Sequence, residues 1–151
     1  MNTLKVGDKV PEFSAKDQDG NIISLSNYAG KKLILFFYPR ANTPTCTNEA
    51  CDLNENMKHL KKAGYEVLGV SEDSQRKQYN FRDKFGFEYP LIADEDHTVI
   101  DIFGVWGPKK FMGREYDGIH RKTFLFNEEG VVERVIDKVK TKDHAAQILE
   151  A

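Results

Sequence analysis

Leu33 to Tyr38 is an unbroken apolar run, "LILFFY", bounded by Lys31-Lys32 and by Pro39. A run of that length without alternation is the pattern of a strand buried on both faces. Beyond Pro39 the period changes. Leu53, Met57 and Leu60 recur at spacings of four and three, one face of an amphipathic helix placed over Thr45–Lys62. Gly64 closes that helix, and "YEVLGVS" (Tyr65–Ser71) predicts the next buried strand. A second helix fits Ser74–Phe85, with Tyr79, Arg82 and Phe85 on neighbouring turns.

Upstream, "FSAKDQDGNIISLSNYAG" carries Asp19-Gly20 between short alternating pieces, which predicts a β-hairpin. Downstream, a short helical pattern lies near His97–Phe103, followed by a glycine-punctuated loop through Gly107, Gly113 and Gly118. "RKTFLFNEEGVVERVID" predicts two strands around Glu128-Glu129-Gly130, and Lys142–Glu150 a last helix. The series contains a βαβ unit, which requires parallel strands and a right-handed crossover. The closing hairpin adds antiparallel strands. The expected fold class is therefore α/β and thioredoxin-like: a mixed central β-sheet flanked by helices on both faces, with an N-terminal β-hairpin extension. A single domain, 1–151, is expected.

Composition narrows the function classes. The chain is 40% hydrophobic and 30% charged, with a formal net charge of −2. That balance offers no global attraction to nucleic acid or an anionic membrane, so neither is expected as a partner. No apolar run approaches a membrane span, and "MNTLKVGDKVPEF" lacks the apolar core of a signal peptide. A cytoplasmic location is the expectation. There a stable structural disulfide is unusual, which turns attention to the two cysteines, Cys46 and Cys51.

Both fall at the start of the first predicted helix. Thr43 suits the N-cap, and Pro44 the first helical position. Cys46 then sits in the first turn, where unpartnered N–H groups and the positive helix end favour a thiolate, so its pKa is expected below the free thiol value. Across five residues of intact helix, two Cα atoms lie about 8.7 Å apart, whereas a disulfide tolerates roughly 7 Å. The pair cannot close without unwinding. A passive staple is excluded in the reduced fold, while a cycle in which the first turns melt on oxidation is permitted. Cys51 as an inert small hydrophobe stays open. A Cys-x-x-Cys zinc or dithiol pattern is absent. Thiol oxidation chemistry remains, with a reactive cysteine and a nearby second thiol.

"YPRANTPTCTNEAC" (Tyr38–Cys51) resembles the active-site segment of the peroxiredoxins, whose Pro-x-x-x-Thr/Ser-x-x-Cys motif is met by Pro39, Thr43 and Cys46. The gap to Cys51 is similar to the bacterioferritin comigratory protein, or Q-type, subgroup of atypical two-cysteine members. "SEDS", "DEDH", "FGVWG", "FMG" and "YDGIHR" extend the resemblance over nearly the whole chain. Thr45 departs from it, standing where many members carry glycine.

The resemblance implies a thiol peroxidase in which Cys46 attacks a hydroperoxide and Cys51 condenses with the sulfenic acid to form a Cys46–Cys51 disulfide. Thioredoxin or a similar dithiol would reduce it. The resemblance also makes Arg121 the active-site arginine, a role in keeping with what a guanidinium does beside a sulfur anion. Thr43 would cap the helix and hydrogen-bond the peroxide or thiolate, and Pro39 would shape the loop and shield Cys46. Glu49 is expected either to reach back to the loop as a capping-box partner or to modulate the site, and stands outside the catalytic set. Trp106 is expected in the core or a pocket wall, His97 near a helix start, and His120 in a structural role. No metal, haem, flavin or nicotinamide is needed, and a monomer is expected because the second thiol is intramolecular. The rival readings are a thiol–disulfide oxidoreductase and a non-enzymatic redox sensor.

Overall fold

Alternation along the apolar run splits the interior in two. Ile34, Phe36 and Tyr38 join a cluster containing Cys46, Leu53, Leu60, Phe81 and Ile148. Leu33, Leu35 and Phe37 join another, with Phe13, Ile100, Phe103, Phe124 and Phe126. Successive side chains of a strand point to opposite faces, so a strand apolar at every position demands cover on both. The computed structural model, which describes residues 1–150, supplies that cover.

The chain runs β1 (Ser14–Lys16), β2 (Ile22–Ser24), β3 (Lys32–Phe37), α1 (Pro44–Glu55), α2 (Met57–Lys62), β4 (Tyr65–Ser71), α3 (Gln75–Phe85), β5 (Leu91–Ala93), α4 (Thr98–Phe103), β6 (Trp106–Phe111), β7 (Arg114–Ile119), β8 (Lys122–Phe126), β9 (Val132–Ile136) and α5 (His144–Leu149). The central sheet has the order β5-β4-β3-β8-β9. β3 pairs parallel with β4, and β4 with β5. β8 runs antiparallel to both β3 and β9. Side chains of α1, α2, α3 and α5 enter the first cluster and those of α4 the second, which gives the expected mixed sheet with helices on both faces.

The N-terminal hairpin is also as expected. β1 and β2 pair antiparallel around a turn in which Asp17 Oδ1 accepts from the N–H groups of Asp19 and Asn21. Asp17 forms a bridge to Ile92, which sets the hairpin against the β5 edge. Among the described residues no helix is long and apolar enough to cross a membrane.

Two local expectations change, and one strand is added. The helix expected over Thr45–Lys62 is two helices that break at Asn56, whose side-chain amide donates to Asp52 C=O at 2.8 Å. Asparagine competes with the helix for backbone partners, and here it wins. Leu53, Met57 and Leu60 stay buried across the break. β5 lies in a stretch that the sequence pattern left unread. The loop through Gly107, Gly113 and Gly118 is instead the hairpin β6–β7, closed by Met112 and Gly113 at φ 51° and 80°. Two left-handed residues in a two-residue connection match the twist of the strands they join.

Candidate active site

The loop between β3 and α1 is built to stop a strand and start a helix. Pro39 has no N–H to continue the ladder, Asn42 takes the left-handed conformation (φ 62°), and Thr43 is extended at the N-cap. Pro44 opens α1, and Thr43 C=O accepts the first helical bond, from Thr47 at 2.9 Å. The Thr43 hydroxyl does not cap the first turn. It donates to Arg40 C=O at 2.9 Å, because the loop folds back far enough to bring that carbonyl within reach. Thr43 is thus the N-cap by backbone alone, and its oxygen lone pairs remain able to accept a further hydrogen bond.

Cys46 lies in the first turn of α1 and is 2% exposed. Arg121, just past β7, sends Nη2 to within 3.2 Å of Cys46 Sγ and Nη1 to 2.7 Å from Glu49 Oε1. One guanidinium therefore grips the sulfur and a carboxylate three residues further along the same helix. Burial alone would lower the pKa of Arg121, but Glu49 and Cys46 together raise it, so the group stays a cation. A charge-assisted N–H donor stabilises negative charge on sulfur.

Of the two roles expected for Glu49, the geometry favours the one at the site. Glu49 does not reach back to the loop as a capping-box partner, because Arg121 holds it inside. Burial pushes its pKa up to about 7, and the attraction of Arg121 only partly offsets that. Its Oε2 has no hydrogen-bond partner and lies 3.6 Å from His144 Nε2. His144 Nε2 also meets the Thr123 hydroxyl at 2.7 Å, and Nδ1 meets Gln147 Oε1 at 2.9 Å. Gln147 Oε1 can only accept, so Nδ1 carries the proton and Nε2 accepts from Thr123. The pKa of His144 is lowered to about 4, chiefly by burial. The close approach to Glu49 is therefore one between two groups both inclined to be neutral.

Cys51 is half-buried on α1 and packs against the first core cluster; both thiols are free. Burial first, and Glu55 second, push the Cys51 pKa up, which keeps it a thiol while α1 is wound. Pro39 and Thr43 line a cleft of about 580 Å³ together with Lys109, Phe111 and Tyr116 of the β6–β7 hairpin. Lys109 donates to Ile119 C=O and has its pKa lowered by burial, then by the charge of Arg121.

The remaining candidates lie apart from the sulfur. His120 Nε2 sits 3.0 Å from Pro108 C=O and braces the hairpin base. His97 is the N-cap of α4, paired with Glu72 at 2.8 Å, and its ring lies 4.5 Å from that of Trp106. Trp106 packs against the second core.

A buried sulfur at a helix start, with a guanidinium donor on it and a second thiol on the same helix, is equipped to attack an electrophilic oxygen and then be resolved. The comparisons agree in kind. A model of the AhpC/TSA family matches residues 6–135. Peroxiredoxin Bcp of Escherichia coli strain K12 is 48% identical over 149 residues, 99% of this chain and 96% of that protein. Peroxiredoxin Bcp of Bacillus subtilis strain 168 is 40% identical over 148 residues, 98% of this chain and 94% of that one. Among solved structures, a cysteine-to-serine mutant of Xylella fastidiosa PrxQ superposes with a TM-score of 0.91 at 29% identity, covering 99% and 95% of the two chains. The bacterioferritin comigratory protein of Xanthomonas campestris, studied for alkyl peroxide reduction, gives 0.85 at 36% identity, covering 94% and 95%. The chain belongs to the AhpC/TSA family, among the Bcp peroxiredoxins.

Proposed function

We propose that this chain is a thiol peroxidase reducing hydrogen peroxide and organic hydroperoxides, with Cys46 as the attacking sulfur. The observation that carries the reading is the Arg121 donor 3.2 Å from Cys46 Sγ at the start of α1. The Cys46 thiolate attacks the terminal oxygen of ROOH. An S–O bond forms, the O–O bond breaks, and the leaving alkoxide takes up a proton as ROH. Sulfur is oxidised by two electrons to the sulfenic acid. Arg121 holds the anion and the developing charge, while the Thr43 oxygen accepts from the peroxide O–H and Pro39 walls the approach.

The first turns of α1 then unwind. Unwinding also removes Cys51 from the burial that keeps it protonated. Its thiolate attacks the Cys46 sulfenic sulfur, hydroxide leaves and is protonated to water, and the Cys46–Cys51 disulfide forms. An external dithiol reduces that disulfide by exchange, becoming a disulfide itself. Thioredoxin is the dithiol we assign. A cycle that needs a supply of reduced dithiol belongs in a reducing compartment, which favours the cytoplasm. With both thiols on one helix, a monomer suffices.

The test is stopped-flow mixing of the reduced protein with hydrogen peroxide. Cys46→Ser abolishes consumption, and retained consumption overturns the assignment. Cys51→Ser reacts once and stops at a sulfenic acid that dimedone traps. Turnover with thioredoxin and its reductase separates the peroxidase from a sensor, and the absence of protein-disulfide reduction separates it from an oxidoreductase.

A further inference from the structure

The "SEDS" segment, Ser71–Ser74, takes no part in the steps above, yet its third residue reaches the loop that carries two of the groups they use. Asp73 is 9% exposed just beyond the end of β4. Its Oδ2 accepts from Ala41 N–H at 2.7 Å and from the Ser71 hydroxyl at 2.7 Å. The Ser71 oxygen in turn accepts from Asp73 N–H at 3.2 Å and from Gln78 Nε2 at 2.9 Å. Gln78 Oε1 accepts from the Tyr38 hydroxyl at 2.6 Å, and Nε2 also donates to Ile92 C=O at 2.8 Å.

This buried network grips the chain at Tyr38 and at Ala41, on either side of Pro39-Arg40. The Arg40 carbonyl is the acceptor of the Thr43 hydroxyl. Asn42, between Ala41 and Thr43, is held at φ 62°. A non-glycine residue in that region costs free energy and persists only where surrounding contacts hold it. Within the loop itself, the Asp73 carboxylate on Ala41 is the short, part-buried contact; the bond from Lys84 to Asn42 Oδ1 is exposed and 3.4 Å long.

We propose that Asp73 is a positioning residue for peroxide reduction: by holding Ala41 N–H it fixes the segment that presents Pro39 and Thr43 beside Cys46. The proposal rests on the peroxidase reading and adds to it a residue remote from the reacting sulfur. Asp73 acts on where the peroxide sits, and leaves the sulfur to Arg121.

That division sets the test. Two second-order rate constants are measured on each reduced variant: reaction of Cys46 with hydrogen peroxide, and its alkylation by iodoacetamide, which needs the thiolate but no peroxide site. In Asp73→Ala the peroxide constant falls by about 10- to 100-fold, the scale of a small misplacement of reacting groups, while alkylation stays within about twofold. Asp73→Asn keeps an acceptor oxygen for Ala41 and recovers most of the peroxide rate. A parental peroxide rate in Asp73→Ala, a parallel fall of both constants, or an asparagine variant as slow as the alanine one each overturns the proposal. If Asp73→Ala does not fold, Asp73→Ser, one bond shorter than needed for Ala41, is read by the same criteria. Peroxide consumption by Cys46→Ser is the different failure, that of the peroxidase reading itself.

Discussion

Burial and charge pull Glu49 in opposite directions, and burial wins. An unfolded glutamate releases its proton near 4.5, while Glu49 in the fold keeps it until about 7. Its contribution to stability is therefore full below pH 4.5 and is lost as pH rises to about 7. His144 has the mirror behaviour. Unfolded, it takes a proton below 6.5; folded, it stays neutral down to about 4, so its contribution is present above 6.5 and is lost as pH falls toward 4. Each slope amounts to about 3 kcal/mol at 1.36 kcal/mol per pKa unit, and the two nearly cancel between pH 4.5 and 6.5. Glu49→Gln should thus unmask a stability that rises with pH from about 4 to 6.5. His144→Asn should unmask one that falls from about 4.5 to 7. Urea titrations across that range check the signs, and slopes of the same sign in both variants refute the account. At this scale the sequence was readable where the rule is local: the positions of Thr43, Pro44 and Cys46 at the start of α1 follow from the helix-start pattern, although the Thr43 hydroxyl bonds Arg40 C=O and not the first turn. For Glu49 two roles stayed open, because its partner Arg121 lies 72 positions away and only the fold joins them. Nothing in "KDHAAQ" marks His144 as fully buried.

In the proposed cycle the element that moves is α1, and two tethers hold its middle. The Tyr89 hydroxyl donates to Ala50 C=O at 2.7 Å, between the two cysteines, and Asp52 Oδ2 accepts from Ala145 N–H at 2.8 Å, which ties α1 to the start of α5. Unwinding far enough for Cys51 to meet Cys46 strains the first. A net hydrogen bond contributes about 1 kcal/mol, so Tyr89→Phe should speed conversion of the sulfenic acid to the disulfide by about fivefold while leaving the peroxide step unchanged. Rapid-quench measurement of disulfide formation checks it; an unchanged rate means that Tyr89 does not restrain the turn. β4, an unbroken buried run, was legible to the residue (Tyr65–Ser71). α3 was legible in extent, with Ser74 its N-cap and not its first helical residue, but not in its face: Gln78 and Phe81 are buried while Tyr79 is exposed. The β6–β7 hairpin was not legible, since its strands are mostly exposed and carry Pro108, Lys109, Lys110 and Glu115 where alternation would be sought. β5 is only three residues long, too short to show a period.

Because the sheet is covered on both faces, stability and chemistry are separable by face. The layered α/β plan was visible in the order of the elements, but the seating of the N-terminal hairpin on the β5 edge depends on the Asp17–Ile92 bridge, a pairing across 75 positions that no local pattern records. Adjacent residues of β3 make the separation testable. Ile34 and Leu35 are each fully buried, Ile34 in the cluster that includes Cys46, Ala50 and Leu53 of α1, and Leu35 in the cluster around Phe103 and Phe124. Truncation of either to alanine removes similar apolar surface and leaves a cavity, at a cost of about 2–5 kcal/mol. Denaturant titration should find the two costs comparable. Only Ile34→Ala, however, loosens the floor beneath α1, and a floor that grips the wound helix less should favour its unwound state. Disulfide formation after a single peroxide equivalent should therefore quicken in Ile34→Ala and keep its parental rate in Leu35→Ala. Equal acceleration in both would mean that α1 opens through loosening of the whole fold, with no special dependence on the face it rests upon.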